Sequence, residues 1–196
     1  MRFLGVLDQK VKADSGREMT MSVFALVCTD LRAKARWLYG DDSWRHVVKA
    51  RFTDGSFSMI IYRWMQWANR RRLVPLAMLF NKLNVVFGNC VIGRGADFGE
   101  GLVLVHSLGI VINTSVRGGK HVVIEHQVTI GAEKGQSPVL GDNVFIGAGA
   151  KIIGAVRIGS DVKVGANAVV LDDVPTGATV VGIPARVVGV GAGLRL

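Results

Sequence analysis

Ile92-Gly-Arg-Gly-Ala-Asp, Phe98-Gly-Glu-Gly-Leu-Val and Leu104-Val-His-Ser-Leu-Gly follow one another without a gap. The same six-residue phase returns after two extra residues as Ile112-Asn-Thr-Ser-Val-Arg, a degenerate Gly118-Gly-Lys-His-Val-Val, and Ile124-Glu-His-Gln-Val-Thr. Ile130-Gly opens a longer loop through Pro138. The phase resumes at Leu140, Ile146, Ile152, Ile158, Val164 and Val170. Each unit reads as one short strand plus one turn. The aliphatic first residue and the small fifth residue point inward, and the Gly that follows the first residue is expected to permit the corner. Three units close a triangular coil, and coils stack as parallel strands about 4.8 Å apart. An ordinary parallel sheet would need crossover helices, and no helical run of ten or more residues fits within these units. A generic Gly-rich sandwich is the competing architecture. Eleven of twelve units begin with an apolar residue, in phase apart from two insertions, and this argues against it.

The repeat also places chemistry. His106 and His126 each hold the third position of their units and lie three units apart, one full coil after allowing for the two-residue insertion. They should therefore stack on one face of adjacent coils, with backbones about 5 Å apart. Continuing the column gives Ala148 and Ala166, so this face reads His, His, Ala, Ala. An imidazole suits proton removal from an acceptor hydroxyl near neutral pH. Two neighbouring imidazoles disfavour each other's protonation, which keeps one neutral and basic. Glu125 lies one position out of phase with His126, so the histidines make a poor metal-ligand set and no metal is expected. His46 and His121 are read as having no catalytic role.

Outward from the repeat, composition divides the chain. Residues 1–87 carry 15 Lys+Arg against 7 Asp+Glu, whereas residues 88–196 carry 9 against 8. Only 4 of the 25 glycines precede Gly88. The expected organisation is a helical segment over 1–87, a β-helix over 88–188 and a tail over 189–196. Residues 1–20 read as polar and poorly ordered, and the apolar patch Phe3–Leu7 lacks the long apolar region and cleavage site of a signal peptide. Helices are expected from Ser22 (N-cap) to Tyr39 with Gly40 as C-cap, from Trp44 to Arg51, from Phe57 to Arg71, and from Val74 to Phe87 with Pro75 in the first turn. Thr53-Asp-Gly-Ser56 reads as a turn.

The last two helices are apolar but punctuated by Arg63 and by Arg70-Arg71-Arg72, and no uninterrupted 18-residue apolar run occurs. Met59, Ile60, Trp64, Trp67, Leu76 and Leu79 are expected to pack on one another and on the β-helix or a neighbouring subunit. The alternative is a peripheral membrane surface over 57–87, with arginines facing anionic lipid. No nucleic-acid motif is present. Two cysteines in separate segments, Cys28 and Cys90, suggest neither a disulfide framework nor a metal cluster, and a reduced cytoplasmic chain is expected.

From about Ile92 to Val188 the chain resembles the hexapeptide-repeat acyltransferases, most specifically their serine acetyltransferase branch. The resemblance rests on Leu104-Val-His-Ser-Leu-Gly-Ile-Val-Ile, Val128-Thr-Ile-Gly, Ile146-Gly-Ala-Gly-Ala-Lys-Ile-Ile-Gly, Val164-Gly-Ala-Asn-Ala-Val-Val-Leu and Val181-Gly-Ile-Pro-Ala-Arg-Val-Val. It implies a left-handed parallel β-helix, although general crossover rules favour the opposite hand in about 98% of cases. It implies His106 as catalytic base, and His126 is the candidate that binds the acceptor hydroxyl or shares the proton. Ala148, Gly149, Lys163 and Ala166 would line a trough for acetyl-CoA, and the active sites would lie between the subunits of a homotrimer. Asn113 and Thr114 are candidates for acceptor contacts.

The chain also departs from the branch. Val105 stands where serine acetyltransferases carry Asp before the base, Ser137 where they carry His before Pro, and Val91 where an Asp partners the base. The groups that hold the amino acid and orient the base are thus expected to be missing together. The pattern resembles the colanic acid O-acetyltransferases of polysaccharide gene clusters. The sequence therefore favours a sugar hydroxyl of a capsular polysaccharide, an exopolysaccharide or a precursor as acceptor. A divergent serine O-acetyltransferase and a non-catalytic hexapeptide scaffold are the alternatives. A cytoplasmic enzyme peripheral to the inner face of the membrane would fit the sugar reading.

Overall fold

The structure, a computed structural model, describes residues 21–191. The poorly ordered segment expected over 1–20 lies outside the described residues. Four helices come first: α1 (Val23–Tyr39), α2 (Trp44–Arg51), α3 (Ser56–Arg70) and α4 (Val74–Gly88). Their ends follow the capping signals. Ser22 Oγ accepts the Ala25 N–H, and Gly40 closes α1 in the left-handed region at φ 84°. Pro75 occupies the first turn of α4, where its missing N–H costs nothing.

A left-handed parallel β-helix of about five turns follows. One face stacks Cys90–Ile92, Ile110–Ile112, Thr129–Gly131, Lys151–Ile153 and Val169–Val170. The second stacks Asp97–Phe98, Arg117–Gly118, Val139–Leu140 and Arg157–Ile158. The third runs Val103–Leu104, Val123–Ile124, Phe145–Ile146, Lys163–Val164 and Ala178–Val181. Arg186–Val190 then turns back antiparallel on this last strand, where a free tail was expected from residue 189.

First-position residues such as Ile112, Ile130 and Ile152 and fifth-position residues such as Val116, Val128 and Ala150 are buried in one continuous core. Each fully buried Ile or Val side chain contributes about 1.5–3 kcal/mol relative to exposure. The corner is built differently from expectation. The left-handed residue is the fourth of the unit, filled by Gly149, Asn143, Asp161 or Asn167. The second-position glycine serves close approach instead: a Cβ on Gly147 would stand 2.6 Å from the Ala166 backbone nitrogen of the next coil.

The helices are bolted to the first coil by a buried polar cluster. Arg63 Nε and Nη2 donate to the two Asp30 carboxylate oxygens at 2.6 and 3.0 Å. Nη1 donates to Gln66 Oε1 and the Phe98 carbonyl, and Nη2 also to the Gly99 carbonyl, so all five guanidinium N–H groups are used. Asp30 Oδ1 accepts the Gly101 and Leu102 N–H groups. Burial pushes the Asp30 carboxyl up, against the pull of Arg63 and of those two N–H groups. Tyr62 completes the joint, its hydroxyl donating to Ala96 O and accepting from Phe98 N. Burial pushes that hydroxyl up to about 12, which keeps it a donor.

Arg63 is therefore no lipid-facing charge. Met59, Tyr62, Met65 and Ala68 of α3 face the β-helix core, whereas Leu79 is exposed. Among the described residues no helix is long and apolar enough to cross a membrane.

Removing one partner of this pair strands a buried charge. Asp30→Ala should cost about 3–5 kcal/mol in urea unfolding. An Asp30→Leu/Arg63→Met double variant should recover a large part of that loss, and strictly additive losses would refute the burial argument.

Candidate functional site

Register decides the site. Leu104 pairs with Ile124, Ile124 with Ile146, and Ile146 with Val164, across coils of 20, 22 and 18 residues. Two residues beyond each strand end, these pairings stack His106, His126, Ala148 and Ala166 on one corner. The His106 and His126 rings lie 6.0 Å apart, centroid to centroid, at 76°. Both look into a cleft of about 570 Å³ that is also lined by Asp54, Phe57, Phe87 and Leu108. Further along the column Ala148 and Gly149 are half-buried and Ala166 is exposed, with no side chain larger than a methyl group. Gly149 N donates to His126 O, and Asn167 N to Ala148 O, which ties this trough to the histidines. Lys163 lies in the adjoining strand, paired in register with Phe145 and Thr179.

The two imidazoles have different surroundings. His106 Nδ1 lies 3.2 Å from Asp54 Oδ2. His126 Nδ1 is buried without a hydrogen-bond partner, with Glu125 Oε2 3.7 Å away, so Nε2 is the nitrogen left to the cleft. The sequence offered no carboxylate for His106, yet one stands beside it. It comes from the turn between α2 and α3, 52 residues away, in place of Val91 or Val105. The signal in the sequence was only Asp54-Gly55 in a turn, and no local pattern could pair it with His106. The walls formed by Phe57 and Phe87 were missed for the same reason.

Lys34 sits beneath this arrangement. It is fully buried on α1 and donates to the carbonyls of Asp54 and Leu104. Asn113 and Thr114 are not brought to the cleft. Asn113 Oδ1 accepts from Ser115 N and Ser137 Oγ, and Thr114 Oγ1 accepts from Gly95 N, on a different corner of the coil. Their short side chains are occupied in stapling neighbouring turns. His46 pairs with Asp41, and His121 occupies a left-handed corner at φ 54°. Among the described residues no three His, Cys, Asp or Glu side chains gather as a metal site.

Known proteins match this architecture. The bacterial transferase hexapeptide (six repeats) family matches residues 137–172. The serine acetyltransferase of Helicobacter pylori is 41% identical over 138 residues, covering 68% of this chain and 81% of that protein. The crystal structure of a Vibrio cholerae serine acetyltransferase superposes with a TM-score of 0.80 at 30% identity, covering 87% of this chain and 67% of that one. A serine acetyltransferase solved in complex with CoA superposes with a TM-score of 0.78 at 30% identity, covering 85% and 70%.

Lys34 makes the helical joint pH-dependent. Burial pushes its ammonium down to about 8 from the usual 10.5, against the opposing pull of Asp54. As pH rises from 8 towards 10.5 the folded chain sheds a proton that the unfolded chain keeps, so this group's contribution to stability rises across that window. Urea midpoints at about pH 7.5 and about pH 9.5 should show this rise in the wild type relative to Lys34→Met. Equal pH dependence in both proteins would exclude it.

Proposed function

This chain belongs to the serine acetyltransferase family of bacterial hexapeptide transferases, and from that premise we propose that His106 is the general base for acetyl transfer to an acceptor hydroxyl. The enzyme is an acyl-CoA-dependent acetyltransferase with acetyl-CoA as donor. The single observation that carries the assignment to His106 is the register that stacks it on His126 in one cleft, with a carboxylate on its Nδ1.

The chemistry follows from that placement. His106 Nε2 removes the proton of the acceptor hydroxyl as its oxygen attacks the thioester carbonyl. The tetrahedral intermediate collapses with cleavage of the C–S bond, and the coenzyme A thiolate takes the proton back from the imidazolium. His126 Nε2 holds the acceptor oxygen. The small corner at Ala148, Gly149 and Ala166 accommodates the pantetheine arm, with Lys163 near the cofactor. The working unit is a homotrimer with this cleft between subunits, in the cytoplasm.

L-Serine is the first acceptor to consider, because the relatives reported above carry its name. The sugar acceptor expected from the sequence finds no support among them, nor does membrane contact, since Arg63 is spent inside the molecule. One observation keeps a saccharide hydroxyl as a second reading. Among the described residues no Lys or Arg lines the cleft to pair with an amino-acid carboxylate. The Phe57 and Phe87 rings offer apolar walls of the kind that receive a sugar face.

Coenzyme A release from acetyl-CoA, measured with free serine and with mono- and oligosaccharides, separates the acceptors. His106→Ala should lower kcat by about 10²–10⁴-fold with the oligomer intact. Turnover that survives in this variant would overturn the assignment. Release with serine establishes the first acceptor, and release with saccharides alone establishes the second.

A further inference from the structure

We propose that Asp54 is the positioning residue for His106: its carboxylate accepts Nδ1–H and so leaves Nε2 unprotonated towards the cleft. The inference rests on His106 being the base. An imidazole in water prefers its proton on Nε2, and that tautomer has no lone pair to offer a hydroxyl from the nitrogen facing the cleft. A carboxylate on Nδ1 reverses the preference and holds the ring in plane. Asp54 Oδ2 stands 3.2 Å from His106 Nδ1.

Both side chains are largely exposed in the single chain, at 82% for Asp54 and 51% for His106. A pair of this kind contributes little to stability. Its geometry is nevertheless set from below. Lys34, wholly buried, donates to the carbonyl of Asp54 and to that of Leu104, two residues before His106. Gly55 presses on the same Leu104 carbonyl: at φ 79°, a Cβ there would stand 2.4 Å from the oxygen. Thr53 and Ser56 hydroxyls both donate to Ala50 O, closing the turn on the end of α2. The backbone of Asp54 and the strand end that carries His106 therefore share one buried anchor, and their separation does not depend on the exposed pair itself. His126 has no such partner at Nδ1. Glu125 Oε2 stands 3.7 Å from His126 Nδ1 without a hydrogen bond, so of the two rings only His106 has a carboxylate within hydrogen-bond distance.

A positioning role predicts effects that a stabilising role does not. In ¹⁵N-histidine NMR spectra of the full chain without substrates, His106 should be the Nδ1–H tautomer in the wild type. Asp54→Asn should move it towards Nε2–H, with His126 unchanged as the internal control. The thermal midpoint should stay within about a degree, because exposed pairs carry little stability. With a working acceptor, Asp54→Asn should lower kcat by about 10²-fold while the KM for acetyl-CoA stays within about twofold, and Asp54→Glu should restore part of kcat. An unchanged tautomer in Asp54→Asn overturns the proposal whether or not an acceptor has been found. A tautomer shift with full kcat retained overturns it as well. Loss of activity in His106→Ala and not in Asp54→Asn would leave His106 as base and reject Asp54. An Nδ1–H tautomer that depends on Asp54, in a protein active without His106, would reject the base instead.

Discussion

The buried ion pair between Arg63 and Asp30 is the joint on which the arrangement depends. Arg63 comes from α3, Asp30 from α1, and the remaining donors and acceptors belong to the first coil at Phe98, Gly99, Gly101 and Leu102. Two charges leave water together, and the penalty is offset only because every guanidinium N–H finds an oxygen. The result is one geometry between two architectures with little else in common. A joint made of Met59 and Met65 alone would tolerate sliding, since apolar contacts are non-directional. The forked hydrogen bonds do not.

That fixed geometry brings the helical segment to the cleft. Once α1 and α3 are docked, Lys34 falls beneath Leu104 and the turn between α2 and α3 falls against the strand that carries His106. The β-helix supplies the two imidazoles and the smooth corner beside them. The helices supply the carboxylate at Asp54 and an apolar wall from Phe57 and Phe87. The cleft thus lies at the meeting of the two parts, where loops and helix ends can vary without disturbing the stacked core.

Much of this was legible along the chain. The six-residue phase is a direct print of the coil, because each side has room for one inward aliphatic residue and one inward small residue. The helix ends followed local capping chemistry at Ser22, Gly40 and Pro75. The misreadings have separate causes. The second-position glycine reads as a turn residue, but the positive φ belongs to the fourth position, mostly filled by residues other than glycine, and the second-position glycine serves close approach. A lipid-facing Arg63 stayed open as the alternative because its partner lies 33 residues away. Asn113 and Thr114 looked available, but the pairing of turns between coils had already engaged them.

The sequence by itself determined the β-helix, its core and the His106–His126–Ala148–Ala166 column. These are periodic features, and periodicity converts distance along the chain into position in space. The tertiary structure alone decided which groups surround that column. Asp54, Phe57 and Phe87 reach the cleft through the docking of helices onto a coil, and docking is governed by side-chain complementarity between distant segments. No repeat or spacing encodes such complementarity, so the carboxylate on His106 became visible only when the helices and the first coil were seen together.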